Sequence, residues 1–222
     1  MKKYEKIIKE TIVSEGHYSN DSSDRGGETV YGISRKNWPK FKGWEYIKNP
    51  YDERIKKLAI EFYKDEFYDK LRCDDIFENS VSTTLFDYAV NAGRVTAVKT
   101  IQSAVGSSAD GIIGPITIGK INKLALKNPT DLHLKMLKAK LSKYSGIVEH
   151  NDSQKKYLFG WVSRAFHNIE YIYDIKELSK YKKISKISEL YDIMLLGRND
   201  KSYRTANKTL RRIQTIIRSL KV

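Results

Sequence analysis

Apolar side chains recur at helical spacing along most of this chain. Near the start, Tyr4, Ile7, Ile8 and Ile12 fall three or four positions apart, which predicts an amphipathic helix over residues 4–15. The same spacing predicts further helices at about residues 52–71, 80–91, 94–105, 117–126 and 131–144. Alternation of apolar and polar residues is scarce, so the pattern predicts a mainly α fold.

The main interruption of this pattern is a polar segment after the first predicted helix. Glu15 lies at the helix end, and Gly16 follows it as a typical stop residue. Residues 19–27 are dense in turn formers, and residues 29–33 predict a short strand. A carboxylic acid at a helix C-terminus suits a general acid, because the helix dipole disfavours its charged form.

The segment also gathers candidate groups for cutting a glycosidic bond, which takes a carboxylic acid facing a second polar group. If the loop folds back over the helix end, as its paired glycines allow, Asp24 and Thr29 can face Glu15. Each residue also has an ordinary structural interpretation: a solvated helix end, a turn-capping Asp and a strand Thr. Asp21 fits the turn better than the chemistry.

Four aromatic residues in this part of the chain are candidates for stacking on sugar faces. Packing in the core is the competing interpretation for each of them. The four candidates are Tyr18, Tyr31, Trp38 and Trp44.

Composition narrows the possible partners and cofactors. With 222 residues and 40% hydrophobic content, the chain can form one large domain or two small ones. The single cysteine, Cys73, excludes an intrachain disulfide, and the four histidines lack metal-ligand spacing. The net charge of +14 predicts an acidic partner: nucleic acid, anionic lipid or a bacterial envelope. Residues 176–222 alone hold 13 Lys/Arg and 4 Asp/Glu, a net of +9.

The N-terminal segment does not read as a signal peptide, because charged residues interrupt each of its apolar runs. No segment is long and apolar enough to span a membrane. We therefore expect synthesis in the cytoplasm, with another protein required for release.

The polar segment resembles the signature of glycoside hydrolase family 108. That family of bacterial and phage N-acetylmuramidases reads E-G-G-Y, then N-D, then D-x-G-G-x-T-x-x-G-I. Here the order is Glu15-Gly16-His17-Tyr18, Asn20-Asp21 and Asp24-Arg25-Gly26-Gly27-Glu28-Thr29-Val30-Tyr31-Gly32-Ile33, with His17 in place of a glycine.

This resemblance implies a lysozyme-like α-helical fold with a short β-hairpin or loop lining the catalytic cleft. It implies that Glu15 is the catalytic acid, and it makes Asp24 and Thr29 candidates for holding or activating the attacking water. It implies no metal and no organic cofactor. His17 is expected to alter the mouth of the cleft while leaving the chemistry intact.

A second resemblance covers residues 91–117. The run Asp110-Gly111-Ile112-Ile113-Gly114-Pro115-Ile116-Thr117 resembles a peptidoglycan-binding-type helical module, and Phe159 to Arg164 resembles that module's G-W-x-x-R element. Turn formation explains the first run about as well as wall binding does. Tyr144 lies where family members carry an aromatic near the cleft, which makes it a substrate-binding candidate.

The two resemblances predict three regions: a catalytic region over residues 1–90, a helical module over 91–170 and a basic helical extension over 171–222. The extension is either a solvated surface or an anchor to anionic wall polymer or membrane.

The function implied is an N-acetylmuramidase that cuts the β-1,4 bond between N-acetylmuramic acid and N-acetylglucosamine. The setting implied is a monomeric phage or prophage endolysin that acts on the wall after release by a holin or another export route. The alternatives are a muramidase of a secretion system, a non-catalytic wall-binding protein and a basic nucleic-acid-binding protein, although no nucleic-acid-binding signature is present. The sequence leaves the stereochemical outcome and the host wall chemistry open.

Overall fold

The computed structural model describes residues 2–20, 27–158, 160–162 and 165. Asp21, Asp24 and the predicted extension over residues 171–222 lie outside the described residues. The described chain is mainly helical with one small sheet, which confirms the predicted mainly α fold. Its helices and strands are, in chain order, α1 (Lys3–Glu15), β1 (Tyr18–Ser19), β2 (Thr29–Val30), β3 (Ile33–Ser34), α2 (Glu53–Tyr63), α3 (Asn79–Ala92), α4 (Arg94–Ala104), α5 (Pro115–Lys127) and α6 (Pro129–His150).

Helix α1 presents the apolar stripe that its sequence predicts. Ile7, Ile8 and Ile12 are buried, and the helix ends at Gly16, whose φ of 78° suits a residue without a Cβ. At the other end, Lys3 Nζ donates to the carbonyl oxygens of Cys73 and Ile76, each at 2.7 Å. The helix is therefore fixed along its length, and the C-terminal turn that carries the candidate acid has a fixed place.

The three short strands form one antiparallel sheet in the order β1-β2-β3. Val30 pairs with Ile33, so β2 and β3 are joined by a two-residue turn, Tyr31-Gly32, called here the Gly32 turn. Both turn residues have positive φ, 48° and 78°, as the hairpin turns that match strand twist require. The prediction of a single strand over residues 29–33 was wrong, because the chain reverses at this glycine.

The core of the first half of the chain is rich in aromatic rings. Phe62 and Tyr63 lie at the end of α2, and Phe67 follows in a single wide helical turn, Lys64–Tyr68. Phe86 of α3 completes the cluster, and its ring centroid lies 6.3 Å from those of Tyr63 and Phe67. Edge-on contacts of this kind add to the burial of large apolar surfaces and fix the orientation of each ring.

The chain divides into two compact units. The first comprises residues 1–102 with 107–122, and the second comprises residues 103–106 with the chain from 123 onward. The predicted boundaries at residues 90 and 170 stay predictions. Within the described ranges, no helix is long and apolar enough to cross a bilayer.

Helix α6 dominates the described part of the second unit. Its first residue is Pro129, and the side chain of Asn128 caps it by accepting from Asp131 N at 3.1 Å. The predicted span of 131–144 was therefore too short at both ends. The helix runs to His150 because its apolar stripe continues through Val148, which is fully buried.

Candidate active site

Glu15 lies against the backbone of the Gly32 turn. A Cβ placed on Gly32 would stand 2.7 Å from Glu15 Cγ and 2.8 Å from its Cβ. Real Cβ atoms do not approach other atoms that closely, so no residue other than glycine fits without moving Glu15. The positive φ of Gly32 adds a second reason for glycine. The hairpin thus sets the position of the Glu15 side chain by direct packing.

Tyr63 supports the same turn from the core side. Its ring is buried, and its hydroxyl donates to the carbonyl oxygen of Tyr31 at 2.8 Å. The same hydroxyl lies 2.7 Å from the position that a Cβ on Gly32 would take. Tyr63 and Glu15 therefore meet the turn at the same point. Sequence reasoning missed this role, because Tyr63 belongs to a helical apolar pattern that indicates only core packing.

Thr29 lies on the same hairpin, in the central strand between Ser19 and Ser34. Its hydroxyl donates to the carbonyl oxygen of Gly27 at 3.1 Å. Asp24, the other predicted water-handling residue, lies outside the described residues. The structure therefore brings the Gly32 turn onto Glu15 and places Thr29 two residues before that turn.

Tyr18 is a surface residue of β1, and 37% of it is exposed. Its hydroxyl donates to Glu28 Oε1 at 3.0 Å, and Glu28 Oε2 lies 2.5 Å from Arg35 Nε. Partial desolvation and the Glu28 carboxylate raise the pKa of Tyr18. The hydroxyl stays protonated at neutral pH and ties β1 to the residue before β2.

Trp44 is enclosed: only 8% of it is exposed. Its indole N–H donates to the carbonyl oxygen of Trp38 at 2.8 Å, and the Arg35 guanidinium lies 4.5 Å from its ring centroid. Trp38 in turn packs edge-on against Phe62 at 4.8 Å. Both tryptophans pack against neighbouring rings, and the indole N–H of Trp44 is hydrogen-bonded, which favours the packing interpretation for both.

Tyr31 belongs to a three-ring cluster with His17 and Tyr51. Tyr31 is buried, and its hydroxyl lies 2.8 Å from His17 Nε2. Burial, with a contribution from the Glu53 carboxylate, raises the pKa of Tyr31, so the hydroxyl stays protonated at neutral pH. Tyr51 stacks on His17 with centroids 4.5 Å apart and an interplanar angle of 20°. Sequence reasoning missed Tyr51, because it lies in a turn after Pro50 with no periodic pattern.

Tyr144 belongs to the second unit, in helix α6. It is buried, and its ring centroid lies 5.5 Å from that of Trp161. Trp161 also stacks on Tyr157, at 6.1 Å and 25°. Arg164, which the second resemblance singles out, lies outside the described residues. Tyr144 therefore packs on Trp161, an aromatic ring of its own unit.

The glycine-rich segment before α5, residues 107–114, is called here the Asp110 loop. Gln102 holds it: its amide nitrogen donates to Asp110 Oδ1 at 2.7 Å and to the Ile112 carbonyl at 3.0 Å. The Gln102 amide oxygen accepts from Gly111 N at 2.9 Å. The backbone N–H of Ile112, with the Gln102 amide, lowers the pKa of Asp110. These bonds give the Asp-Gly motif a structural role.

Other reactive groups are few in the described part of the chain. Burial raises the pKa of the Cys73 thiol, which keeps it protonated and unreactive. No three His, Cys, Asp or Glu side chains converge there as a metal site requires.

Comparison with known proteins finds a family match over each of the two segments that carry a motif. Residues 8–93 match the glycosyl hydrolase 108 family, and residues 96–166 match the family described as a predicted peptidoglycan domain. No curated protein matches the chain significantly. Among solved structures, the chain is similar to SagA of Brucella abortus, with a TM-score of 0.60 and 24% identity over 74% of this chain and 90% of that one. That level of identity shows a shared fold.

The glycosyl hydrolase match includes Glu15, the hairpin and Tyr63, whose hydroxyl supports the Gly32 turn. The peptidoglycan-domain match includes the Asp110 loop and α6. The protein therefore carries a catalytic domain of glycosyl hydrolase family 108 followed by a peptidoglycan domain, and it is a peptidoglycan hydrolase.

Proposed function

We propose that the protein is an N-acetylmuramidase that hydrolyses the β-1,4 bond between N-acetylmuramic acid and N-acetylglucosamine, with Glu15 as the general acid. Glu15 protonates the leaving oxygen while water attacks the anomeric carbon. The observation that carries the proposal is the contact between Glu15 and the Gly32 turn. It places a carboxylic acid at the junction of the amphipathic helix α1 and a hairpin inside the glycosyl hydrolase domain.

In this proposal Asp24 and Thr29 hold or activate the attacking water. Thr29 donates to the carbonyl oxygen of Gly27, which lies three residues after Asp24 in the sequence. In an inverting reaction the acid and the water-activating group stand about 6.5–9.5 Å apart, with room for the water between them.

Product analysis tests the bond that is cut. Purified wild type and Glu15→Gln are each incubated with peptidoglycan sacculi, and the released fragments are reduced with borohydride and identified by mass spectrometry. The proposal predicts reduced N-acetylmuramic acid ends with wild type and almost none with Glu15→Gln. Reduced N-acetylglucosamine ends would instead identify a glucosaminidase, and equal release by the two proteins would remove Glu15 from the mechanism.

The biological role that we propose is lysis of a bacterial host by a phage or prophage endolysin that acts as a monomer on the wall. The net charge of +14 supports attraction to an anionic envelope, and the peptidoglycan domain supports the wall as the target. Expression in a bacterium with and without a holin tests the role. Lysis only when the holin is present agrees with it, whereas lysis without a holin contradicts the proposed route of release.

A further inference from the structure

One exposed aromatic side chain near Glu15 has no role in folding that its surroundings explain. Tyr51 is 72% exposed, yet its ring is held parallel to the His17 imidazole at 4.5 Å. The imidazole covers one face of the phenol ring, and the high exposure leaves the other face open. A large ring stacked at the surface, with one face available, has the form of a binding platform.

The platform is joined to the Glu15 region by short contacts. His17 lies two residues after Glu15, and its carbonyl oxygen accepts from Tyr31 N at 2.8 Å. The Tyr31 hydroxyl lies 2.8 Å from Nε2 of the His17 ring, within hydrogen-bond distance. The residue after Tyr31 is Gly32, which packs on Glu15. Tyr51 is thus separated from the candidate acid by His17 and one turn of hairpin.

Exposure distinguishes Tyr51, at 72%, from Trp44 and Tyr31. Trp44 is covered by Arg35 and Phe41, and Tyr31 is buried. Tyr51 combines an open face with a fixed ring, so little conformational entropy is lost when a ligand stacks on it. A sugar ring presents a flat face of C–H groups that fits against such a surface.

We propose that Tyr51, supported by His17, is a sugar-binding residue of the glycan cleft and contacts a sugar next to the cleaved bond. The inference rests on the proposed function, since it takes the glycan strand as the ligand. It assigns Tyr51 a role in affinity for the strand and none in proton transfer.

Binding to sacculi in a Glu15→Gln background tests this assignment without loss of substrate to cleavage. Tyr51→Ala is expected to weaken binding about tenfold, the size expected for loss of an aromatic platform. Tyr51→Phe keeps the ring and is expected to bind like the parent, whereas Tyr51→Leu keeps apolar bulk and is expected to weaken binding like Tyr51→Ala.

Phe77 supplies a matched control, because it is equally exposed at 72%. It follows Ile76, which Lys3 holds at the start of α1, whereas Glu15 ends that helix about 18 Å away. Phe77→Ala is expected to leave binding unchanged. Circular dichroism of each variant checks that the fold is retained.

The outcomes separate this inference from the proposed function. In the catalytically active background, Tyr51→Ala is expected to raise KM about tenfold with kcat nearly unchanged. Tight binding by Tyr51→Ala or by Tyr51→Leu would overturn the inference while leaving muramidase activity intact. Failure of wild type to release reduced N-acetylmuramic acid would refute the proposed function, and the binding assay would still report on Tyr51 independently.

Discussion

The Gly32 turn and the Asp110 loop share a backbone feature, but the carboxylates associated with them have different roles. Each contains a glycine with positive φ, 78° at Gly32 and 86° at Gly111, packed where a side chain would crowd a neighbour. A Cβ on Gly32 would meet Glu15 Cγ at 2.7 Å, and a Cβ on Gly111 would meet Val95 Cγ1 at 3.0 Å. The first neighbour is the candidate acid and the second is an apolar side chain.

The difference lies in what the nearby carboxylate does. Asp110 accepts bonds from Gln102 and from its own loop backbone, so its hydrogen-bonding capacity serves to close the loop. Glu15 is instead positioned through its Cβ and Cγ atoms by Gly32. The presence of an acidic residue and a glycine in a motif therefore does not show by itself whether the carboxylate stabilises the loop or takes part in catalysis. The packing of the carbon stem distinguishes the two cases.

Among changes to the residues that surround the two carboxylates, the largest expected effect comes from filling the space beside Glu15. Gly32→Ala forces the Glu15 stem or the hairpin to shift, and a displacement of about 1 Å in a catalytic group can lower turnover about a hundredfold. The initial rate of sacculus digestion measures it. Gly93→Ala is the control, since Gly93 has a φ of 86° but no atom within 4 Å of an added Cβ. Equal activity in the two variants would show that the contact does not position the acid.

Removing the hydrogen bonds that hold the Asp110 loop is expected to lower the stability of the fold and to leave the catalytic rate unchanged. Gln102→Ala removes the buried amide that holds the loop, and because its partners Asp110 and Ile112 are exposed to water, the expected cost is about 1 kcal/mol in the free energy of unfolding. Denaturant titration measures the loss, and the digestion rate per folded molecule is expected to stay at the wild-type value. Asn91→Ala, which removes an exposed bond to the Asp87 carbonyl, serves as the control with little expected change. A large drop in rate per folded molecule would give the Asp110 loop a catalytic role.

A smaller effect on turnover than that of Gly32→Ala is expected on removing the hydroxyl that supports the Gly32 turn. Tyr63→Phe loses the bond to the Tyr31 carbonyl, at about 1 kcal/mol of stability, and lowers turnover less than Gly32→Ala does. Tyr68→Phe is a matched control, because Tyr68 is equally buried and donates to Asp74 at 2.6 Å, away from the hairpin. It is expected to lose stability with no change in turnover. A turnover loss shared by both variants would point to general destabilisation.

The smallest expected effect is on the stability of the fold at acid pH, and it involves Asp52, the residue after Tyr51. Asp52 caps α2, and its bonds to the Arg54 side chain and backbone lower the pKa of that carboxyl from 3.8 to about 2. Because the folded pKa is depressed, the stabilisation is present above pH 3.8 and is lost as the pH falls toward 2. Asp52→Asn keeps a capping side chain but does not titrate. Thermal unfolding over this pH range is expected to depend less steeply on pH in the variant, and identical slopes would contradict the assignment.

Much of this architecture follows from local sequence rules. The apolar stripe of α1 and its stop at Gly16 follow from helical periodicity, and so does the position of Glu15 at the helix end. The single-strand prediction failed at Gly32, because a two-residue hairpin reverses the chain within what reads as one short apolar run.

The parts of the site that the sequence did not predict depend on contacts between distant segments. Tyr63 meets the Tyr31 carbonyl 32 positions away, and Tyr51 meets His17 across 34 positions. No local pattern encodes such pairs. For the same reason, periodicity did not separate the enclosed Trp44 from the exposed Tyr51.

The central claim is that Glu15, and not simply any carboxylate in a glycine-rich motif, protonates the leaving group. The most direct measurement compares Glu15→Gln with Asp110→Asn in the initial rate of sacculus digestion, each corrected for the fraction folded. Loss of a general acid lowers the rate by about 10²–10⁴, so Glu15→Gln is predicted to fall by at least two orders of magnitude while Asp110→Asn stays near wild type. Similar rates in the two variants would contradict the claim.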